Sequence, residues 1–195
     1  MNALLDIDQS GALVRGTQAM GLKVPPDAIS RLTQHLALIE KWNLVHNLTA
    51  VRDRATMVTY HVLDSLTLSA FLPHGAALLD VGSGAGFPGL ALAIARPDLQ
   101  VTVLDSNQKK SAFLQQTIGA LKITNATSVC ARVERWKAPR PFPFIVSRAL
   151  AELQEFAGLS QHLLEPQGRL FAMKGVYPHD EIARLPQSVT VERVE

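Results

Sequence analysis

Apolar residues between positions 25 and 42 recur at helical spacing: Ile29, Leu32, Leu36 and Ile39 fall on one stripe, with Leu38 and Trp42 beside it. Pro25-Pro26-Asp27 precedes them as a start signal, since a first turn tolerates proline and favours an acid. A polar turn with Asn43, Asn47 and Thr49 follows. A second helix is predicted over 55–72, with Val58, Val62, Leu66 and Ser69 along one face, closed by Pro73-His74-Gly75. Beyond 75 the period changes. Short apolar runs at 77–81, 101–104, 127–131, 144–147 and 170–173 alternate with helical patterns at 88–95, 107–121 and 152–163. Several runs are continuously apolar, as expected of strands covered on both faces. Strand, helix, strand at this spacing predicts an α/β fold with a doubly wound parallel sheet. The tail adds a short helix at 179–185 and a strand at 188–194. The expected organisation is a helical extension, 1–75, packed on a core, 76–195.

The 195 residues, 47% hydrophobic and 18% charged, exclude a disordered chain and a coiled coil. Asp, Gly or Pro interrupts every apolar stretch well before membrane-spanning length. Asp6 and Asp8 stand where a signal peptide needs positive charge and then an apolar run, so no secretion is expected. Cys130, the one cysteine, excludes an internal disulfide and a multi-cysteine zinc site, and fits a reducing cytoplasm. The formal net charge of +2 is unevenly spread. Residues 106–150 hold Lys109, Lys110, Lys122, Arg132, Arg135, Lys137, Arg140 and Arg148 against Glu134 alone. Such a segment is either a solvated surface or a polyanion footprint.

The most informative stretch is Asp80-Val81-Gly82-Ser83-Gly84-Ala85-Gly86-Phe87-Pro88-Gly89, between a strand and a helix. Glycines permit the tight turn and let a ligand approach the backbone, and the helix start offers free N–H groups. Asp105 ends the next predicted strand, where an acid accepts ribose hydroxyls. Nicotinamide and flavin enzymes use a related loop spaced G-x-G-x-x-G. Here the spacing is G-x-G-x-G with Asp80 two residues ahead, which resembles the S-adenosylmethionine loop of class I methyltransferases. That cofactor has no pyrophosphate, and its amino and carboxylate groups call for an acid and backbone N–H groups.

Further segments extend the likeness. Lys41-Trp42-Asn43, Asn47-Leu48-Thr49, Val51-Arg52-Asp53, His61-Val62-Leu63-Asp64-Ser65, Leu104-Asp105-Ser106, Arg132-Val133-Glu134, Ser147-Arg148-Ala149 and Met173-Lys174-Gly175 occur in that order. With the loop, they give residues 25–195 a resemblance to the bacterial 16S ribosomal RNA guanine-N7 methyltransferases, also called glucose-inhibited division protein B. The resemblance implies a class I S-adenosylmethionine-dependent methyltransferase fold, Rossmann-like, with an N-terminal helical extension. It implies 16S rRNA of the 30S subunit as substrate, a cytoplasmic chain, monomeric by default, and no metal. Asp80, Gly82, Gly84, Gly86, Phe87 and Asp105 are then cofactor-binding candidates, with Val133 and Glu134 near the adenine. Arg148 lies at the border of cofactor and target base, and Arg132 and Lys174 are the other basic residues near RNA. The family's sheet has seven strands and continues past a strand like 189–194, whereas this sequence stops at Glu195, so the final strand is expected to be missing.

Guanine N7 carries an in-plane lone pair and is unprotonated at neutral pH. Methyl transfer to it is a matter of positioning, and Arg148 and Lys174 read as ligands of guanine O6 or phosphate rather than as acids or bases. Other residues carry blander expectations. His61 and Asp64 share a helix face and are expected to form a buried hydrogen-bonded pair linking the N-terminal helices to the loop. Trp42 reads as a core anchor, Asn47 and Thr49 as turn residues, and Cys130 as a buried inert thiol. Arg135-Trp136-Lys137 reads equally as a surface loop or an RNA contact. A nicotinamide-dependent oxidoreductase and a non-catalytic RNA-binding or ribosome assembly factor stay open beside the methyltransferase.

Overall fold

The computed structural model describes residues 2–148 and 151–194, with side chains from Gln9 onward. The Asp6 and Asp8 side chains, Ala149 and Glu195 fall outside the described part. Two long helices open the chain, α1 (Asn2–Ala19) and α2 (Pro26–His46). The predicted stripe of α2 is its buried face: Ile29, Leu32, Leu36 and Ile39 all lie in the core. Arg31 bonds Asp27 one turn back at 2.9 Å, an acid that also suits the positive end of the helix dipole. The helix stops at Asn47, whose left-handed backbone (φ 30°, ψ 55°) turns the chain. The Asn43 side chain then bonds both backbone groups of Thr49, at 2.9 and 3.1 Å.

The stretch 54–71 is helical, as expected, but it is not one helix. α3 (Arg54–Met57) is capped by Asp53, which accepts from the Thr56 N–H at 2.7 Å. A π-turn, Val58–Leu63, follows, then α4 (Asp64–Thr67) and a 3₁₀ turn, Leu68–Phe71. In an α-helix the Asp64 N–H would bond the Tyr60 carbonyl. Here it bonds the carbonyls of Thr59 and His61 instead.

The core then runs β1 (Ala77–Val81), α5 (Gly89–Ala95), β2 (Gln100–Asp105), α6 (Gln108–Ala120), β3 (Ala126–Cys130), a 3₁₀ turn at Val133–Arg135, β4 (Phe142–Arg148), α7 (Leu153–Ser160), β5 (Leu164–Met173) and α8 (His179–Ala183). All five strands are parallel, in the order β3-β2-β1-β4-β5. The chain leaves β1 toward β2 and β3, then returns to β4 and β5. The carboxyl edge between β1 and β4 is therefore the switch point where open α/β sheets hold ligands.

Alternate side chains of β1 face different layers. Leu78 joins a core with Leu13, Leu36, Val62, Leu90, Ile94 and Phe113, so α1, α2 and the 54–71 stretch share one interior with α5 and α6. Leu79 and Val81 face the other layer, with Leu104, Ile145, Phe156 and Leu163. Every residue of α5 is buried, which accounts for its being apolar all round. Trp42 packs edge-on against Phe113 at 5.4 Å, a core contact as expected. Trp136 packs inward too, tilted on Phe142 at 6.1 Å, which disfavours the RNA-stacking reading of 135–137.

Two expectations need correction, and the charge pattern resolves. No strand forms at 188–194: the Val189 N–H closes a turn on Pro186, and Val191 and Val194 are exposed. An alternating pattern needs a ladder partner before it becomes a strand, and the described residues make a sheet of five strands. Cys130 is exposed, because it ends the edge strand β3. The basic segment does not form one face. Lys109, Lys110 and Arg132 follow the carboxyl ends of strands and Arg148 ends β4, whereas Arg140 bonds Gln100 at the start of β2 (2.6 Å) and Lys122 lies between α6 and β3. No helix among the described residues is long and apolar enough to cross a membrane.

α5 meets β1 and β2 through Gly89. A Cβ there would lie 2.6 Å from Val103 Cγ1 and 2.7 Å from an Asp80 carboxylate oxygen. Gly89→Ala is expected to cost about 2 kcal/mol by overpacking, lowering Tm by roughly 4–8 °C. Gly119→Ala, whose Cβ meets nothing within 4 Å, should leave Tm unchanged or raise it slightly. Thermal melts of the two variants side by side check the packing argument.

Candidate active site

Asp80 ends one row of β1 and is buried. One of its oxygens, Oδ2, accepts from the Ser83 hydroxyl at 2.6 Å and from the Gly89 N–H at 2.8 Å, so one atom ties strand, loop and helix start together. The other, Oδ1, is buried without a hydrogen-bond partner. Burial pushes this carboxyl up to about 6, opposed by the two donors and by the Arg148 charge, with Asp105 adding repulsion. The loop is also pinned to β2, since the Gly82 and Ser83 N–H groups both bond the Leu104 carbonyl. Gly82 and Gly84 adopt left-handed backbone, φ 73° and 57°. A Cβ on Gly84 would meet only the Gly82 carbonyl oxygen, at 3.8 Å, so the loop leaves open space on that side. Asp105 accepts from the Gly84 N–H at 3.0 Å and the Asn107 N–H at 2.8 Å; a carboxylate has four lone-pair sites, so acceptor capacity remains. An acid with an unmatched buried oxygen, an open glycine cradle and a second acid at the next strand end together fit a cofactor with a cationic amino group and a ribose.

Gly86 and Phe87 point elsewhere. A Cβ on Gly86 would strike Leu90 at 2.8 Å and His35 at 3.1 Å, so this glycine serves packing. Phe87 is buried, its ring stacked on His35 (4.8 Å) and on His61 (5.0 Å), with the Arg148 guanidinium 5.4 Å from its centroid. His35 reaches the Ala85 carbonyl at 2.8 Å and His61 reaches the Thr49 hydroxyl at 3.0 Å. Burial pushes both histidines down to about 4, and the Arg148 charge adds to the effect at His61. Both are neutral at pH 7, so they brace the loop without placing charge beside a cationic ligand.

The expected His61–Asp64 pair does not form. His61 turns to Thr49 and Asp64 turns to Arg148, and the link from N-terminal helices to loop runs through Phe87 and Arg148 instead. Arg148, the last residue of β4, donates from Nη1 to the Tyr60 carbonyl at 2.8 Å, with Asp64 Oδ2 at 3.7 Å. Its Nε and Nη2 make no hydrogen bond to the described residues, which leaves the side-on edge of the fork available. Burial lowers the basicity of this guanidinium, partly offset by Asp64 and Asp80. Among the described residues, no group of His, Cys, Asp and Glu is arranged to hold a metal ion.

The sequence model of the family described as GidB, rRNA small subunit methyltransferase G, matches residues 28–195. The chain belongs to this family. A ribosomal RNA small subunit methyltransferase G of Chromobacterium violaceum is 48% identical over 182 residues, 93% of this chain and 87% of that one. One from Neisseria meningitidis serogroup C is 47% identical over 189 residues, 97% of this chain and 91% of that one. Among solved structures, coclaurine N-methyltransferase bound to N-methylheliamine and S-adenosylhomocysteine aligns with TM-score 0.52 at 16% identity, covering 85% of this chain and 50% of that one. A SAM-dependent methyltransferase from Aquifex aeolicus aligns with TM-score 0.50 at 20% identity, covering 65% and 74%. At such identities these two show the fold alone, that of the class I methyltransferases. Membership of the GidB family removes the oxidoreductase reading.

The remaining candidates of this GidB-family chain differ in surroundings. Val133 is buried behind the β3 end, whereas Glu134 and Arg132 are exposed and paired with each other at 3.6 Å. Lys174 is not free to reach out. Its ammonium bonds the Ala151 carbonyl at 2.9 Å and both Glu181 oxygens at 3.0 and 2.8 Å, while Glu181 also accepts from the Leu153 N–H. The expected RNA ligand is thus a clasp between β5, α8 and the start of α7. His35 escaped the sequence reading, although its place on the α2 stripe, three residues after Leu32 and four before Ile39, was a signal that it faces inward.

Two expectations follow. Asp80→Asn keeps the shape and removes a buried charge. The folded value of about 6 against the usual 3.8 corresponds to on the order of 3 kcal/mol. The folded state holds the proton more tightly, so this contribution is present below pH 3.8 and lost as pH rises through about 6. The variant should melt higher than wild type at pH 7.5, with the gap closing as pH falls toward 4, and calorimetry should show S-adenosylmethionine affinity reduced at least about tenfold. For the clasp, Lys174→Ala and Glu181→Ala should each lower Tm, with the double variant less destabilised than the sum of the two; strict additivity would remove the clasp.

Proposed function

We propose that this chain transfers the methyl group of S-adenosylmethionine to N7 of a guanine in 16S ribosomal RNA, as free RNA or within the 30S subunit, and that it does so in the cytoplasm as a monomer. Support comes from its membership of a family of rRNA small subunit methyltransferases. The observation that carries the site assignment is Arg148, held beside the glycine loop with one edge of its guanidinium uncommitted.

S-adenosylmethionine supplies an electrophilic methyl on a sulfonium. Gly82 turns the loop with its left-handed backbone, Gly84 gives the cofactor room, Asp80 offers an unmatched oxygen to its amino group, Asp105 accepts from the ribose, and Val133 and Glu134 flank the adenine. Guanine N7 is nucleophilic without deprotonation, which agrees with a site whose two nearest histidines are neutral and buried. The protein's task is to hold N7 in line with the methyl, worth several orders of magnitude in rate when the geometry is right. The Arg148 fork bonds guanine O6 or an adjacent phosphate and leaves the N7 lone pair open. Arg132, exposed at the β3 end, contacts the RNA backbone, and Lys174 acts through the clasp.

The test uses labelled S-adenosylmethionine with naked 16S rRNA, 30S subunits and a panel of small acceptors, followed by mapping of N7-methylguanosine. Label confined to one guanine of the rRNA supports the proposal. RNA binding without transfer supports an assembly factor instead. Arg148→Ala should lower turnover by at least about 100-fold with Tm within a few degrees of wild type; wild-type turnover in that variant removes Arg148 from the site.

A further inference from the structure

We propose that Asp64 is a positioning residue for Arg148: together with the Tyr60 carbonyl, it sets from the N-terminal layer the pose in which the guanidinium meets the target base. The inference rests on the reading of Arg148 given above. Its starting point is the π-turn Val58–Leu63. Because the Asp64 N–H bonds Thr59 and His61, the Tyr60 carbonyl is released from its usual helical donor, and it accepts from Arg148 Nη1 at 2.8 Å. π-turns of this kind collect at functional sites.

The same turn presents the Asp64 carboxylate to the same nitrogen, at 3.7 Å. That is an ion-pair distance but long for a hydrogen bond. Asp64 is about half exposed and its carboxyl is raised above the usual range by burial, with Arg148 opposing the shift, so the pair does little as a stability element. Its geometric effect is larger. The Tyr60 carbonyl as acceptor and the Asp64 carboxylate as counter-charge hold Nη1 from one side, the Phe87 ring lies against the guanidinium at 5.4 Å, and the Nε–Nη2 edge makes no hydrogen bond to the described residues. Arginine has four side-chain torsions, so without Asp64 the fork retains one anchor and can swing about it.

Asp64→Asn and Asp64→Glu test this, with Arg148→Ala assayed beside them on the same rRNA substrate. Asp64→Asn is expected to lower kcat 10–100-fold while KM for RNA and Kd for S-adenosylmethionine change less than threefold and Tm stays within 2 °C. Asp64→Glu, which restores the charge, should recover at least a third of the lost kcat. Wild-type kcat in Asp64→Asn while Arg148→Ala is inactive overturns the positioning role and leaves the Arg148 reading standing. Wild-type turnover in Arg148→Ala overturns both. A parallel fall in Tm, or in cofactor affinity, with no rescue by Glu assigns Asp64 to the fold alone and overturns the proposal.

Discussion

A single carboxylate oxygen, Asp80 Oδ2, fixes the geometry on which the site depends. By accepting from Ser83 and from the Gly89 N–H, it determines where the loop leaves β1 and where α5 begins. The cost is a buried charge with its other oxygen unmatched. An unpaired buried polar group is expensive in an interior of low dielectric, so the strand end stores an attraction for a cation that the fold itself does not satisfy. Gly89 is the packing counterpart, since any side chain there would collide with the same carboxylate.

The helices ahead of the sheet complete the loop rather than decorate the core. His35 on α2 holds the Ala85 carbonyl, His61 on the π-turn stacks on Phe87, and both bury apolar neighbours in the interior shared with α5 and α6. Neutral imidazoles suit this position. They supply a hydrogen bond and a flat surface while keeping positive charge away from a pocket whose ligand is cationic.

The sequence made the parallel sheet legible because its central strands β1, β2 and β4 are covered on both faces, which writes continuous apolar runs, and α2 legible because one stripe of it is buried. The glycine loop and the two acids were readable for a similar reason: each occupies a strand end whose position the runs already define. Other features leave no periodic trace. A π-turn differs from an α-turn by one residue, too little to show in a hydrophobic pattern. Cys130 reads as buried because nothing within β3 marks it as an edge strand, yet it is exposed. The RNA reading of Lys174 comes from the family resemblance alone, and its ion-pair partner Glu181 lies beyond an intervening turn that no pattern marks. The spacing of His61 and Asp64 correctly placed them on one face, yet their partners come from Thr49 and Arg148, distant in the chain.

The π-turn has an evolutionary reading. Such a turn is an α-helix carrying one surplus residue, and each residue of an α-helix advances its neighbours by about 100°. Deleting one position within 58–63 would heal the ladder and return the Tyr60 carbonyl to a helical donor, while everything beyond it keeps nearly its present face, because the wider turn is what absorbs the surplus residue. Leu66 would stay in the core, but the carbonyl that holds Arg148 would be withdrawn into the helix. Point substitutions on this stretch are graded in effect, whereas a one-codon deletion is all or none. The length of this short segment is therefore under tighter constraint than the identity of most residues within it.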